Sequence, residues 1–452
     1  MATFDKKAPG VYVEEISKLP PSVASVATAI PGFVGYTEKG TKDTAIRVES
    51  LIDFEEKFGY ACKIAISDEE DKINGLEYKL HESMRLFYAN GGGICYVVSV
   101  GNYTDAISNT ALETGISMLE PIDEVTMIVV PDAVSLEIKD LASVQNAALA
   151  QCLELKDRVA ILDVKDTGNC NTDATNFRNS IGTKGASYGA AYYPYIKSVY
   201  DREINVYDIY KGLGLSDNEL EDAQKYAVLS EPTEESTLFA KQLMSKPEYA
   251  KLVAKIQEQA NLLPPSGAIA GIYCANDNQR GVWHAPANMS VSGISDINVR
   301  ISDKQQGELN EDTSGKCINA IRAFQGKGIL VWGARTLDGL SSEWKYISVR
   351  RFFNYVEESI QESTAWAVFQ PNDANTWVKV RCQIENFLSN LWRDGALAGS
   401  TPQEAFYVRV GINQTMTAQD ILNGYMIVEI GMAAVRPAEF IVLQFSHKLQ
   451  ES

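Results

Sequence analysis

Between Val125 and Val164 the chain reads strand, helix, strand: an apolar run at Val125 to Val130, a helical stretch from about Asp140 to Leu155, and a second apolar run from Arg158 to Val164. Such a unit returns the chain in the direction it started, so it predicts a parallel sheet with helices packed on its faces. An earlier block has matching parts. An apolar segment spans Ala29 to Tyr36, a helix near Leu76 to Ala89 is closed by Asn90-Gly91-Gly92-Gly93, and a strand follows at Ile94 to Val100. The fold class these blocks predict is α/β, of the mixed α+β kind.

At 452 residues the chain exceeds one typical domain, so two or three compact bodies are expected. From Tyr200 to Asn261 it turns polar and helical, with segments such as DNELEDAQKYAVL and PEYAKLVAKIQEQA and about five net negative charges, and reads as an insertion. From Pro264 onward short strands alternate with two longer helices, roughly Trp344 to Gln361 and Thr376 to Trp392. Val349, Phe352, Phe353, Val356 and Ile360 form one apolar stripe, and Trp377, Val380, Ile384, Phe387 and Leu391 another, both expected to face a core. The two ends differ from the body. PGVYVEEI, residues 9 to 16, reads as an extended segment cut off by Pro20-Pro21, and Glu439 to Ser446 reads as a final strand.

Several chemistries are disfavoured by composition. The seven cysteines are odd in number, scattered and never in a CxxC pair, which points to buried free thiols rather than disulfides or a zinc ribbon. With three histidines, His81, His284 and His447, no HExxH or His-rich metal site can be drawn, and no metal or cofactor is expected. A net charge of -18 repels phosphate backbones, so nucleic acid is not an expected partner. No apolar stretch is long enough for a membrane span, and the opening MATFDKKAPG lacks the apolar run of a secretory signal, so synthesis and folding in the cytosol are expected.

The catalytic motifs fare no better. Gly185-Ala186-Ser187-Tyr188-Gly189 matches the GxSxG elbow of serine hydrolases, but loop-like NSIGTKG precedes it and strand-like AAYYPYIKSVY follows, which predicts a turn before a strand. Asn90-Gly91-Gly92-Gly93 lies after a helix and before a strand, the reverse of a phosphate cradle, and predicts a helix C-cap. After the Val125 run comes Pro131-Asp132 rather than a dinucleotide fingerprint. Adjacent acidic pairs such as Glu14-Glu15, Glu69-Glu70 and Glu357-Glu358 point in different directions, as solvated faces do. Without a Walker lysine pattern, any mechanical work must come from conformational energy.

Longer stretches resemble the contractile tail-sheath family, in order from one terminus to the other. They are PGVYVEEI with SVATAIPGFVGYTEKG, FEEKFG, FYANGGGICYVVSV, YGAAYYPYIK and PPSGAIAGIYCANDNQRGVWHAPAN, then AIRAFQGKGILVWGARTL, WKYISVRRFFNYVEESIQESTAWAVFQPN, LWRDGALAGSTPQEAFYVRVG and VRPAEFIVLQF. The chain departs from the family's pattern at Cys274-Ala275-Asn276, at His284 and in the Tyr200 to Asn261 insertion.

The resemblance implies a structural subunit, not an enzyme, that polymerises helically around an inner tube protein in an extended state and contracts to drive the tube through a target envelope. Its implied partners are further copies of itself, with room for sheath paralogues, the tube, and baseplate and tail-terminator or cap proteins, with no membrane insertion. The implied location is the cytoplasm during assembly and then a phage tail or phage-tail-like particle. The expected organisation is an N-terminal arm and linker at 1–22, core at 23–100, an inserted α/β region at 101–200, the acidic insertion on the outer surface at 201–262, core with tube-facing helices at 263–435, and a C-terminal strand arm at 436–452.

In that picture Val11, Tyr12, Val13, Glu14 and Glu15 pair with a neighbouring subunit, Val11 and Val13 projecting to one side and Tyr12 and Glu14 to the other. Lys18, Leu19, Pro20, Pro21 and Ser22 form a stiff linker. Phe440, Ile441, Val442, Leu443, Gln444 and Phe445 form the C-terminal strand, whose apolar faces would invite aggregation unless buried between subunits. Lys379 and Arg393, off the apolar stripe of the second helix, are candidates to face the tube. Two other readings are a serine hydrolase centred on Ser187 and a shell-forming assembly protein that does not contract.

Overall fold

The computed structural model describes residues 23–66, 73–229 and 233–440. Two compact units emerge: Val26–Glu358 with the segment from Ala434, and Ser359–Ala433, with which residues 23–25 are grouped. The block expected at 263–435 is therefore divided between two units, and the division falls inside one long helix.

The larger unit begins with β1 (Pro31–Gly35), β2 (Ala45–Val48) and α1 (Leu51–Phe58), followed by the antiparallel pair β3 (Ala65–Ile66) and β4 (Ile73–Asn74). Helix α2 (Leu80–Ala89) leads into β5 (Cys95–Ser99), α3 (Asn109–Ser117) into β6 (Met127–Val129), and α4 (Ile138–Leu155) into β7 (Val159–Asp163). After α5 (Cys170–Ser180) come β8 (Gly189–Tyr193) and β9 (Ile196–Ser198). Helices α6 (Val206–Ile209), α7 (Asp217–Ala227), α8 (Glu234–Met244) and α9 (Pro247–Ala260) fill the expected insertion. Then follow β10 (Leu262–Leu263), α10 (Ser266–Arg280), β11 (Met289–Ser290), β12 (Ile294–Ile297), α11 (Asp303–Asn310), β13 (Ile318–Phe324), β14 (Gly328–Val331) and α12 (Ile347–Thr364).

Nine strands form one sheet in the order β11-β14-β13-β8-β7-β6-β1-β5-β2. From β13 to β5 the pairing is parallel, while β2 joins one edge antiparallel and β14 with β11 extend the other. Strands β1, β7 and β8 are buried at every residue, which is why they read as nearly continuous apolar runs. Alternate residues feed opposite faces. Val34, Val98, Ile128, Leu162, Ala191 and Tyr193 meet α3, α4 and α5 on one side, and Phe33, Val97, Val129, Ile161, Ala190 and Tyr192 meet α2 and α10 on the other.

Helices α2 and α10 approach closely because α10 carries Gly267 and Gly271 at the crossing: a Cβ there would lie 2.5 Å from Ser83 O and 2.4 Å from Phe87 O. The expected C-cap of α2 is present, with Gly91 at φ +96° and Gly92 N donating to Phe87 O at 3.0 Å. Its start falls at Leu80 rather than Leu76. Asp132, from the turn after β6, accepts the Lys79 and Leu80 N–H groups at 2.5 and 2.9 Å and so sets the first turn. Burial pushes the Asp132 carboxyl up to about 7, against the pull of those donors and of Tyr36 N.

The insertion is not self-contained. Val206, Tyr210, Leu213, Ala223 and Leu243 bury one small cluster, but Ile209, Ile256 and Ala260 share a second with Ile64 and Ile66 around β3. An ion pair of 2.6 Å between Arg202 Nε and Glu82 Oε1, with both side chains about 5% exposed or less, fastens the beginning of the insertion to α2. Residues 64–66 and 73–75 therefore belong structurally with 201–262. All seven cysteines are free thiols, five of them buried.

In the smaller unit, α13 (Ala374–Arg393) is capped by Asp373, which accepts from Thr376 N at 3.0 Å, and buries Val380, Ile384, Phe387 and Leu391 as the periodicity predicts. Trp377 is only half-buried, its Nε1 donating to Asn372 Oδ1 at 2.7 Å. After α14 (Pro402–Ala405), β15 (Phe406–Val410), α15 (Ala418–Leu422) and β16 (Val428–Met432) complete the unit. Among the described residues strands β15 and β16 pair only with each other, antiparallel, with Val408 and Val410 buried and Tyr407 and Arg409 exposed. Along α12 the expected stripe is buried except Phe353, which packs edge-on against Trp344 at 5.1 Å.

Candidate functional site

Near each end of the described chain, next to the expected arms, a buried arginine grips a chain segment. Residues 435–440 have no regular secondary structure, yet Glu439 is held firmly. Arg335, 2% exposed, donates from Nε to Glu439 Oε1 at 2.9 Å and from Nη2 to Oε2 at 2.6 Å, a two-point pairing of guanidinium and carboxylate. The Tyr346 hydroxyl adds a third donor at 3.1 Å. Although partial burial opposes ionisation, these donors hold the Glu439 carboxyl below its ordinary range. Arg436 donates to Ser342 O at 2.6 Å, three residues earlier.

Arg335 is itself bolted to the sheet. Its backbone N–H donates to Asn319 Oδ1 at 2.7 Å, and Asn319, fully buried on β13, donates from Nδ2 to Arg335 O at 2.8 Å and to Ala191 O on β8 at 3.1 Å. A buried amide with its donors and acceptor occupied is a stiff joint, because breaking any one bond strands a polar group away from water.

At the other end Thr28 O, six residues beyond the expected linker, accepts from Arg351 Nη2 at 2.8 Å. Arg351 lies on α12, is 4% exposed, and forms a two-point ion pair with Asp277 of α10 at 3.0 and 2.6 Å. Its guanidinium stacks over the Tyr273 ring at 4.6 Å, and the Tyr273 hydroxyl meets the Tyr192 hydroxyl on β8 at 2.8 Å. Asp277 and its hydrogen bonds keep Arg351 charged despite burial, raising its pKa.

Of the residues predicted to carry function, Val11 to Glu15, Lys18 to Ser22 and Ile441 to Phe445 lie outside the described residues. Phe440 is described, exposed and outside any strand of this single chain, and the pairing expected of Phe440 to Phe445 is with a neighbouring subunit. Lys379 and Arg393 are exposed on α13, 14 residues apart and so on the same helix face about 21 Å from each other. Ser187 sits in a 3-10 turn, Ala186–Tyr188, ahead of β8, the reverse of a strand-to-helix elbow. His81 is held within the core by Glu55 at 3.3 Å.

Sequence reasoning missed Arg335, Arg351, Asp277 and Glu439. The one signal available was a pair of arginines, Arg350-Arg351, inside an otherwise apolar stretch of helix, but the partner of Arg351 lies 74 positions away.

Around a covered, mostly parallel sheet, a buried ion pair stands beside each end of the described chain. Comparison with known proteins identifies the class. Residues 105–337 match the family model for the phage tail sheath protein central domain, and residues 341–448 match that for the phage tail sheath C-terminal domain. The chain belongs to the phage tail sheath family. Among solved structures it resembles the sheath of an extracellular contractile injection system, the PVC sheath complex in the contracted state, with 32% identity, 99% of each chain covered and a TM-score of 0.69. The contracted helical sheath of the anti-feeding prophage is similar at 30% identity over 98% of this chain and 99% of the other, with a TM-score of 0.66. The tail sheath protein of Vibrio phage KVP40 is 23% identical over 42% of this chain, which spans only 27% of that longer relative.

Proposed function

We propose that this protein polymerises helically around an inner tube, is held there in an extended state, and contracts to drive the tube through a target envelope. The observation that carries the reading is the likeness, over 99% of both chains, to a sheath subunit solved in its contracted state. In this reading the subunit works without catalysis, assembles in the cytoplasm onto a baseplate, meets a cap protein at the far end, and then forms part of a phage tail or a released injection particle. Similar chains solved within baseplate complexes of the anti-feeding prophage support the baseplate contact. Among the described residues no helix is long and apolar enough to cross a membrane.

The insertion decorates the outer surface, since it interrupts family-like segments on either side. The ribbon β15–β16 receives the arms of neighbouring subunits: a two-stranded sheet is marginal alone, and two open edges invite further strands. Negative-stain microscopy of the purified protein, alone and with its tube protein, tests the whole reading. Long tubes with two distinct lattices before and after a trigger are expected; small soluble oligomers, or one lattice only, would refute contraction.

The tube must be gripped and then released, which favours polar contacts that salt can screen. Reversing both charges in Lys379→Glu with Arg393→Glu should weaken co-sedimentation of tube with extended sheath, the parent's binding should decline as salt rises, and the variant should lose that dependence. Tube association equal to the parent's at low salt would take α13 out of the tube contact.

A further inference from the structure

Two chains of contacts start at the two arm roots and end on adjacent residues of one strand. From the C-terminal side the path is Glu439, Arg335, Asn319 and Ala191 O. From the N-terminal side it is Thr28 O, Arg351, the Tyr273 ring and hydroxyl, and the Tyr192 hydroxyl. Ala191 and Tyr192 are neighbours in β8, which lies inside the nine-stranded sheet between β13 and β7.

We propose that β8 is the mechanical junction of the subunit, joining the N-terminal and C-terminal arms through these two polar chains so that tension on one arm is delivered to the other. The inference rests on the sheath reading and goes beyond it, since it names the residues through which one subunit's movement pulls the next. Each joint suits that task. Arg335 and Arg351 are buried, charged and bound at two points, so sliding either guanidinium costs more than one hydrogen bond at a time. The strand they converge on has partners on both sides and all five residues buried, which makes it a poor place to yield. The chain of side chains is a path with named links, and each link can be cut singly.

Two conservative substitutions cut one path each while sparing packing. Glu439→Gln keeps the shape of the side chain and removes the charge that Arg335 grips. Tyr273→Phe removes only the hydroxyl that meets Tyr192, and Glu439→Asp serves as the charge-retaining control. Parent and variants are purified, their melting compared, assembled on tubes, given a mild urea pulse, and scored by electron microscopy for complete contraction. Both cutting variants are expected to fold and to assemble extended sheaths, Tyr273→Phe melting within a few degrees of the parent and Glu439→Gln lower, because the buried Arg335 loses its counter-charge. Completed contraction should fall about tenfold, the factor expected for one lost hydrogen bond at the upper end of the ordinary range, and Glu439→Asp should recover most of the loss of Glu439→Gln. If both cutting variants contract as readily as the parent, β8 is not the junction. If folded variants fail to assemble at all, the contacts set arm pairing rather than transmit load, and the proposal is equally overturned. A parent protein that forms no sheath would instead remove the sheath reading on which the proposal stands.

Discussion

Replacing Arg202 by alanine should destabilise the larger unit by about 3–5 kcal/mol, the usual consequence of removing one partner from a buried ion pair. Arg202 and Glu82 are almost wholly buried, and Arg202 Nη1 also donates to Gly75 O at 2.6 Å, so the substitution strands a carboxylate and a carbonyl together. Both lie at a seam. Arg202 opens segment 201–262, its backbone exchanges hydrogen bonds with the Gln257 side chain at 3.1 and 2.6 Å, and Gly75 follows β4, whose partner β3 supplies Ile66, next to Ile64, to the same small core. Gly75 cannot easily give way, because it has φ +87° and any Cβ would sit 2.3 Å from Lys63 O. Thermal or urea unfolding of the Arg202→Ala subunit should show the loss, with Glu82→Met in combination with Arg202→Leu recovering most of it. A change below 1 kcal/mol for the single variant would mean that water reaches Glu82. Excising Asp201 to Gln259 would incur the same penalty, so only a deletion that keeps Arg202 and Gln257 can test the outer-surface role of the insertion.

That seam marks where the sequence stops being readable. Periodicity and composition disclose elements whose neighbours are close in the chain: the strand-helix-strand unit at 125–164 and the stripe of α13 appear where expected because each needs only its own residues to show the pattern. The start of α2 shifts by four residues because the deciding group, Asp132, is 52 positions from Leu80, and nothing local to α2 announces it. The same reason hides the anchors. Arg335 looks like a loop arginine and Glu439 like the first residue of a strand, and only their meeting across 104 positions gives them a role. The polar helical segment 201–262 was visible as a change in composition, yet its debt to the residues around β3 was not, since Ile64 and Ile66 precede it by more than a hundred residues and carry no mark of their partner. Family-like stretches suggested where arms would lie, while the buried contacts beside the ends of the described chain required tertiary structure.

The last expected result concerns the arm itself. In β15–β16 the chain offers an antiparallel pair, Phe406 to Val410 against Met432 to Val428, in which every residue of β15 has a partner in β16 and the outer edges have none among the described residues. A strand added to such an edge contributes backbone hydrogen bonds through alternate residues, and Val11 and Val13 occupy one such alternating set. Proline at both positions removes two N–H donors from the same edge and sets φ near that of polyproline, so the added strand loses its ladder while the rest of the subunit is untouched. The double variant Val11→Pro with Val13→Pro should therefore melt with the parent and yet form no sheath, with or without tube, at concentrations where the parent assembles completely. Because each subunit in a helical polymer would give and receive an arm, the loss recurs at every contact and should be all or none rather than graded. Sedimentation with negative-stain imaging distinguishes the outcomes. Long sheaths from the double variant would show that the ladder does not run through Val11 and Val13, and would shift the search for the intersubunit strand to the C-terminal segment beyond Glu439.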